Sequence, residues 1–151
     1  MTLYEGLSLV VAVVAALLSA FAVWKSNSTS AGMIELSINE RITSTKEKAM
    51  DVSLMMAPLL SKSDKAADDK KLIETYETIL GSAIENNLNA YEEACAKYLD
   101  RKVDTKRFRK AYYAEIRQLV ENQELKKYLD PVTSKYKAIL KVYNEWENLE
   151  K

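Results

Sequence analysis

The run LSLVVAVVAALLSAFAVW, residues 7–24, contains no charged side chain, and everything after it is rich in Lys and Glu. Three structures fit such a run: a bilayer-spanning anchor, a signal peptide that is removed, or a core helix of a soluble bundle. From Gly6 to Trp24 an α-helix rises roughly 28 Å at ~1.5 Å per residue, close to the ~30 Å hydrocarbon thickness of a bilayer. The polar side chains inside it, Ser8 and Ser19, can bond back to helix carbonyls, which leaves no hydroxyl unpaired in lipid. Tyr4 and Trp24 stand at the two ends, where amphipathic rings favour the lipid–water interface. Thr2 and Glu5 have the spacing of a capping box that starts a helix near Leu3.

Ala20-Phe21-Ala22 has the small-x-small pattern of a signal-peptidase site. The segment before the apolar run carries no Lys or Arg, however, and the run is longer than the usual core of about 7–15 residues. An uncleaved anchor over residues 1–24 is therefore expected. Lys25 and Arg41 follow the span, with Lys46 and Lys48 beyond, which places the N-terminus outside and the remainder in the cytoplasm, at a cell inner membrane. In that topology the Asn27-Ser28-Thr29 sequon never meets the glycosylation machinery. Within the span Ser8, Ala12, Ala16 and Ala20 recur every fourth residue and form a ridge along which another helix can approach, so a homo-oligomer is one expected assembly.

Residues 25–32, KSNSTSAG, have the composition of a polar tether. Residues 33–151 then read as a cytoplasmic helical domain. Ile34, Ile38 and Ile42, followed by Ala49, Val52 and Met56, keep helical phase up to a break at Pro58, with Ser44-x-x-Glu47 as a second start signal that leaves one helix or two open. Residues 61–71 read as a solvated loop. From Leu72 to Leu99 one apolar face persists for more than seven turns, and Gly81 within it suggests a close helix crossing. Asp104 fits an N-cap for a helix with Phe108, Tyr112 and Ile116 inward, a short turn surrounds QELKKYL, and Asp130-Pro131 fits the start of a last helix carrying Tyr136, Ile139, Leu140, Tyr143 and Trp146. No segment alternates with period two. The expectation is all-α: a transmembrane helix followed by an antiparallel bundle of about four amphipathic helices.

Side chains that carry chemistry are few in this chain. The chain has no His, one Cys and three Gly. Ser-His-Asp and Cys-His catalysis, His-containing or four-thiolate metal sites and phosphate-cradling glycine loops are thereby excluded. Asp64, Asp68 and Asp69 lack the ligand spacing of a calcium loop, and Glu92-Glu93 diverge around a helix, so both groups read as solvated charges. Cys95 lies on an apolar stripe and fits as a small buried residue. No catalytic, cofactor or metal site is expected, and the chain reads as a non-enzyme. Before Lys25 the only charged side chain is Glu5, so the remainder carries all 22 basic and 21 of the 22 acidic residues, a net charge of +1. That balance argues against a nucleic-acid partner for the domain as a whole.

One basic feature stands apart. DTKRFRKAYYAEIR places Lys106, Arg109, Lys110, Tyr113 and Arg117 along one helix face, with several cations in the first turns, where the helix dipole disfavours them. An anionic partner would relieve that cost: acidic lipid headgroups, an acidic protein, or RNA with Tyr113 stacking on a base. The competing reading is a solvent face paired with Glu115, Glu121 or acids of other helices.

The first 26 residues, the polar segment, and a helical tail containing NAYEEACAKYLDRKVD and LDPVTSKYKAILKVYNEW resemble uncharacterised bacterial single-pass membrane proteins with a short anchor and a small cytosolic helical domain, some encoded near mobile elements or defence loci. The resemblance lies in layout and implies location rather than activity. Small helical RNases with an Arg-x4-6-His motif share such a layout, but this chain lacks the His, so no active site carries over. The expected role is a non-enzymatic interaction domain tethered at the membrane and holding an unidentified protein partner or copies of itself. The alternative is an oligomerising effector that disturbs the bilayer, for which a uniformly apolar span is a poor pore lining.

Overall fold

The structure, a computed structural model, describes residues 3–64 and 66–148, with side chains described from Val13 onward. Four helices account for it: α1 (Leu3–Leu60), α2 (Ala67–Leu99), α3 (Thr105–Glu121) and α4 (Lys137–Asn148), with one 3-10 turn at Gln123–Leu125 between α3 and α4. Among the described residues there are no strands.

Helix α1 is a single element of 58 residues. The stretch 25–32, expected to be a tether, is helical throughout. Ser, Asn and Thr are only a few tenths of a kcal/mol per residue worse than the best helix formers, whereas a break would require a second costly nucleation. The segment contains no Pro, and Gly32 does not take the left-handed conformation that ends helices. Thr29 Oγ1 donates to the Lys25 carbonyl at 3.0 Å, and Ser19 Oγ to Ala15 at 2.9 Å, so these hydroxyls are met within the helix. Ser44-x-x-Glu47 does not start a new helix either: Thr45 Oγ1 bonds back to Arg41 at 2.9 Å and the helix continues to Leu60, two residues beyond Pro58. Among the described residues no helix is long and apolar enough to cross a membrane. The apolar run begins at Leu7, and the side chains of residues 7–12 lie outside the described set.

Helices α1 and α2 form an antiparallel hairpin. On α1 the seam runs through Ile38, Ile42, Thr45, Ala49, Val52, Met56 and Leu59; on α2 it runs through Ile73, Tyr76, Leu80, Ala83, Asn87, Ala90 and Ala94. Every one of these is buried or half-buried. Their alternating spacing of three and four is the heptad of a coiled coil. The seam's two polar members meet: Asn87 Nδ2 donates to Thr45 Oγ1 at 2.9 Å. A single polar pair in an apolar seam fixes register, because any slip leaves both groups unpaired. Helix α1 stops at Leu60 and α2 starts at Ala67, so the connection is shorter than the expected loop of 61–71. Asp69 in the first turn of α2 accepts from Ala66 N at 3.3 Å and from Lys62 Nζ at 2.7 Å.

Only the end of the hairpin nearer residue 35 is enclosed. There α3 runs back parallel to α1 and α4 returns beside α2, giving an up-down-up-down arrangement. Leu88, Tyr91, Ala94, Cys95 and Tyr98 of α2 meet Phe108 and Ile116 of α3 and Ile139, Val142 and Trp146 of α4 in one core. Rings dominate it: Tyr98 stacks on Phe108 with centroids 5.3 Å apart and meets Trp146 edge-on at 5.4 Å. Trp146 Nε1 donates to Tyr98 Oη at 3.0 Å, and that hydroxyl donates to Glu145 at 2.8 Å, so the polar atoms of this cluster are satisfied. Gly81 makes no close helix crossing, since a Cβ built on it would meet nothing within 4 Å.

The start of α4 also departs from expectation. Asp130 Oδ1 accepts from Val132 N at 3.0 Å and Thr133 N at 2.9 Å, so Asp130-Pro131 caps a turn and α4 begins only at Lys137. Leu129 and Tyr136 are both buried, and the irregular segment between them lets each reach the core. The first amides of α4 are capped from another helix: Glu92 accepts from Ala138 N at 2.8 Å and Ile139 N at 3.0 Å.

Candidate functional site

Asp104 caps α3 as the sequence predicts, its side chain accepting from Arg107 N at 2.9 Å. These contacts, with that of Lys106 N, hold its carboxyl below the usual carboxylate range. The helix has no acidic residue in its first turn, so its dipole is opposed by cations there. Arg107 is answered by Glu35 of α1 at 3.1 Å, and Glu35 also accepts from Asp104 N at 2.8 Å. This one carboxylate pins the α2–α3 corner to α1.

Lys106, Arg109, Lys110 and Tyr113 line one shallow groove on the outer face of α3. The Arg109 guanidinium lies 5.7 Å from the centre of the Tyr113 ring, a cation–π contact. Tyr113 donates its hydroxyl to Glu147 at 3.1 Å. Arg117 stands one turn further, bonding Glu121 at 2.9 Å and Tyr113 Oη at 3.3 Å. The expected anion-binding face is thus divided: Arg117 is neutralised along its own helix, while Lys106 and Lys110 are exposed and form no ion pair among the described residues. Glu115, a candidate partner for this face, points elsewhere. It accepts from Lys46 Nζ at 3.0 Å and from the Tyr91 hydroxyl, tying α1, α2 and α3 together. Burial and that carboxylate push the Tyr91 hydroxyl well above its ordinary range.

Of the ridge in the apolar run, Ala16 and Ala20 are exposed on a stretch of α1 that no other described element covers, and the side chains of Ser8 and Ala12 lie outside the described residues. Cys95 is buried, and desolvation pushes its thiol far up, so it is a space-filling residue. Among the described residues no three His, Cys, Asp or Glu side chains converge as metal ligands would.

Glu92 is more than a solvated charge, since it is half-buried and caps α4, whereas Glu93 is exposed as expected and pairs with Arg41 across the hairpin. Their tertiary roles leave no local trace, because a cap supplied from another helix has no fixed spacing in sequence. The distal arm is a further surface that periodicity alone does not reveal. Met50, Leu54, Met55, Leu72 and Ile79 are all exposed there, Met50 at 63% and Leu54 at 61%. No protein-family model matches the chain, and no curated protein or solved structure is detectably similar to it.

Proposed function

We propose that this chain is a non-enzymatic, membrane-tethered helical scaffold of the cytoplasmic face of a bacterial inner membrane, anchored by residues 7–24. The observation that carries the reading is the bare apolar helix. Val13, Leu17, Leu18, Phe21, Val23 and Trp24 are all more than half exposed, Ala15 and Ala22 are exposed on the opposite side of α1, and no other described element lies over them. A helix apolar on all faces is stable only when something apolar surrounds it, and a bilayer supplies that along its whole length. Lys25 and Arg41 on the domain side favour a cytoplasmic bundle. The exposed Met and Leu side chains of the distal arm are the surface offered to a partner, since flexible Met-rich faces adapt to apolar grooves.

Two linked measurements test this. Carbonate washing of membranes should leave the full-length chain in the pellet, and only detergent should release it; release by carbonate alone would reject the anchor. A pull-down in mild detergent should recover a stoichiometric partner that Met50→Glu with Leu54→Lys abolishes. An unchanged partner set with that variant would remove the arm from the account.

A further inference from the structure

The α2–α3 corner combines excess positive charge with a fixed height above the anchor. Segment 100–110, DRKVDTKRFRK, holds six basic and two acidic residues. Both acids are engaged, Asp104 as the cap of α3 and Asp100 with Lys102 at 3.4 Å. Arg107 is bound to Glu35. Arg101, Lys106 and Lys110 are exposed and form no ion pair among the described residues. Arg101 and Lys102 follow α2 in a tight reversal, with Arg101 left-handed at φ 56° and Lys102 N bonded to the Lys97 carbonyl at 2.9 Å. The reversal joins two antiparallel helices, so it forms an extremity of the bundle.

That extremity faces the apolar run. Glu35, which binds the corner, lies on the same unbroken helix as Trp24. Eleven residues at ~1.5 Å each put the Glu35 level about 17 Å above Trp24, and the reversal lies on the Trp24 side of it. The headgroup layer takes up about 5–8 Å of that interval, leaving a gap near the ~8–10 Å over which charges interact at physiological ionic strength. A flexible tether would blur this spacing; a continuous helix fixes it.

We propose that the α2–α3 corner, through Arg101, Lys106 and Lys110, binds the anionic lipid headgroups of the membrane in which α1 is anchored, and so sets the tilt of the bundle. The proposal rests on the anchor reading and adds the lipid class and the residues that recognise it. Acidic lipids are favoured over an acidic protein or RNA because α1 itself carries the corner to the surface, where effective lipid concentration is high.

The test uses the full chain in vesicles of phosphatidylcholine alone or with about one-third phosphatidylglycerol. An environment-sensitive fluorophore is attached at Thr105→Cys, with Ser63→Cys at the arm tip as control; buried Cys95 stays unlabelled. At low salt, neutral acrylamide should quench the corner label at least threefold less in the anionic vesicles. The difference should vanish in 0.5 M NaCl and in Lys106→Gln with Lys110→Gln, and the tip label should not respond. Equal quenching in the two vesicle types, with the chain still resistant to carbonate, would overturn the corner proposal alone. Loss of the chain from both vesicle types on a carbonate wash would overturn the anchor beneath it. Protection that appears only after adding polyuridine RNA or an acidic polypeptide would assign the basic corner to that partner and overturn the lipid.

Discussion

The two halves of α2 share one heptad seam against α1 and differ in everything else. Residues 84–98 are closed in by three helices and contain Tyr91, Ala94 and Cys95 at 1% exposure or less. Residues 67–80 meet α1 alone and leave Leu72 and Ile79 at 42% and 44%. A two-helix pair can hide only its seam, so the arm keeps an apolar flank in water while the enclosed end becomes a core. The same division runs along α1, from a bare apolar run through an enclosed middle to an exposed arm. The teaching is that one helix serves three environments, and its local chemistry follows whichever neighbour is present.

The largest test of that contrast compares cavities. Trp146→Ala in the enclosed end should cost about 3–5 kcal/mol, whereas Leu54→Ala on the arm should change stability by under about 0.5 kcal/mol. Urea unfolding of the full chain in detergent, followed by far-UV circular dichroism, measures both, and equal losses would erase the distinction between the regions. Next comes the Glu92 cap inside the enclosed end. Glu92→Ala leaves the amides of Ala138 and Ile139 without their acceptor and should cost about 1–2 kcal/mol, with faster hydrogen exchange at those two amides than anywhere in α3.

Smaller effects come from backbone positions. Gly81 has open space around it, so Gly81→Ala should stabilise the arm by about 1 kcal/mol. Arg101 holds a left-handed conformation that ordinary residues adopt at a cost, so Arg101→Gly should stabilise the corner by a similar ~1 kcal/mol or somewhat less. A melting temperature that falls in either variant contradicts the local geometry.

The smallest effect is expected on acidification. Contacts with amides and Lys62 hold the carboxyls of Asp69, Asp104 and Asp130 below their ordinary range. A carboxylate whose folded value is depressed stabilises the fold above its unfolded value, about 3.9, and that contribution is lost as pH falls through the lower folded value. Asp104 and Asp130 are solvent-exposed and Asp69 is half-buried at its Lys62 pair, so the melting temperature should decline only gently below pH 4, and replacing each with Asn should flatten the decline.

What was legible in the sequence was whatever periodicity and local caps encode. The stripe of α3, the buried Cys95 and the inward Tyr91 and Tyr98 follow from a spacing of 3.6 residues, and the Asp104 cap from its place just ahead of α3. The basic face was legible as a pattern, but not its division, because the Arg117–Glu121 pair and the Glu35 tie depend on rotamers and on a helix 70 residues away. Asp130-Pro131 misleads for a chemical reason: the same dipeptide that starts a helix also starts a turn, and the burial of Leu129 and Tyr136 decides between them. Residues 25–32 mislead because composition reports the preference of an isolated segment, while their structure is set by strong helix on both sides.

The proposed anchor requires α1 to leave a bilayer and enter the bundle without a break. Residue-resolved hydrogen exchange of the full chain in lipid nanodiscs tests it directly. The account predicts amides from Leu7 to Trp24 that resist exchange for hours and residues 25–33 that exchange slower than an unstructured chain. Exchange of Leu7–Trp24 at the rate of a water-exposed helix, or of 25–33 at the unstructured rate, would contradict it.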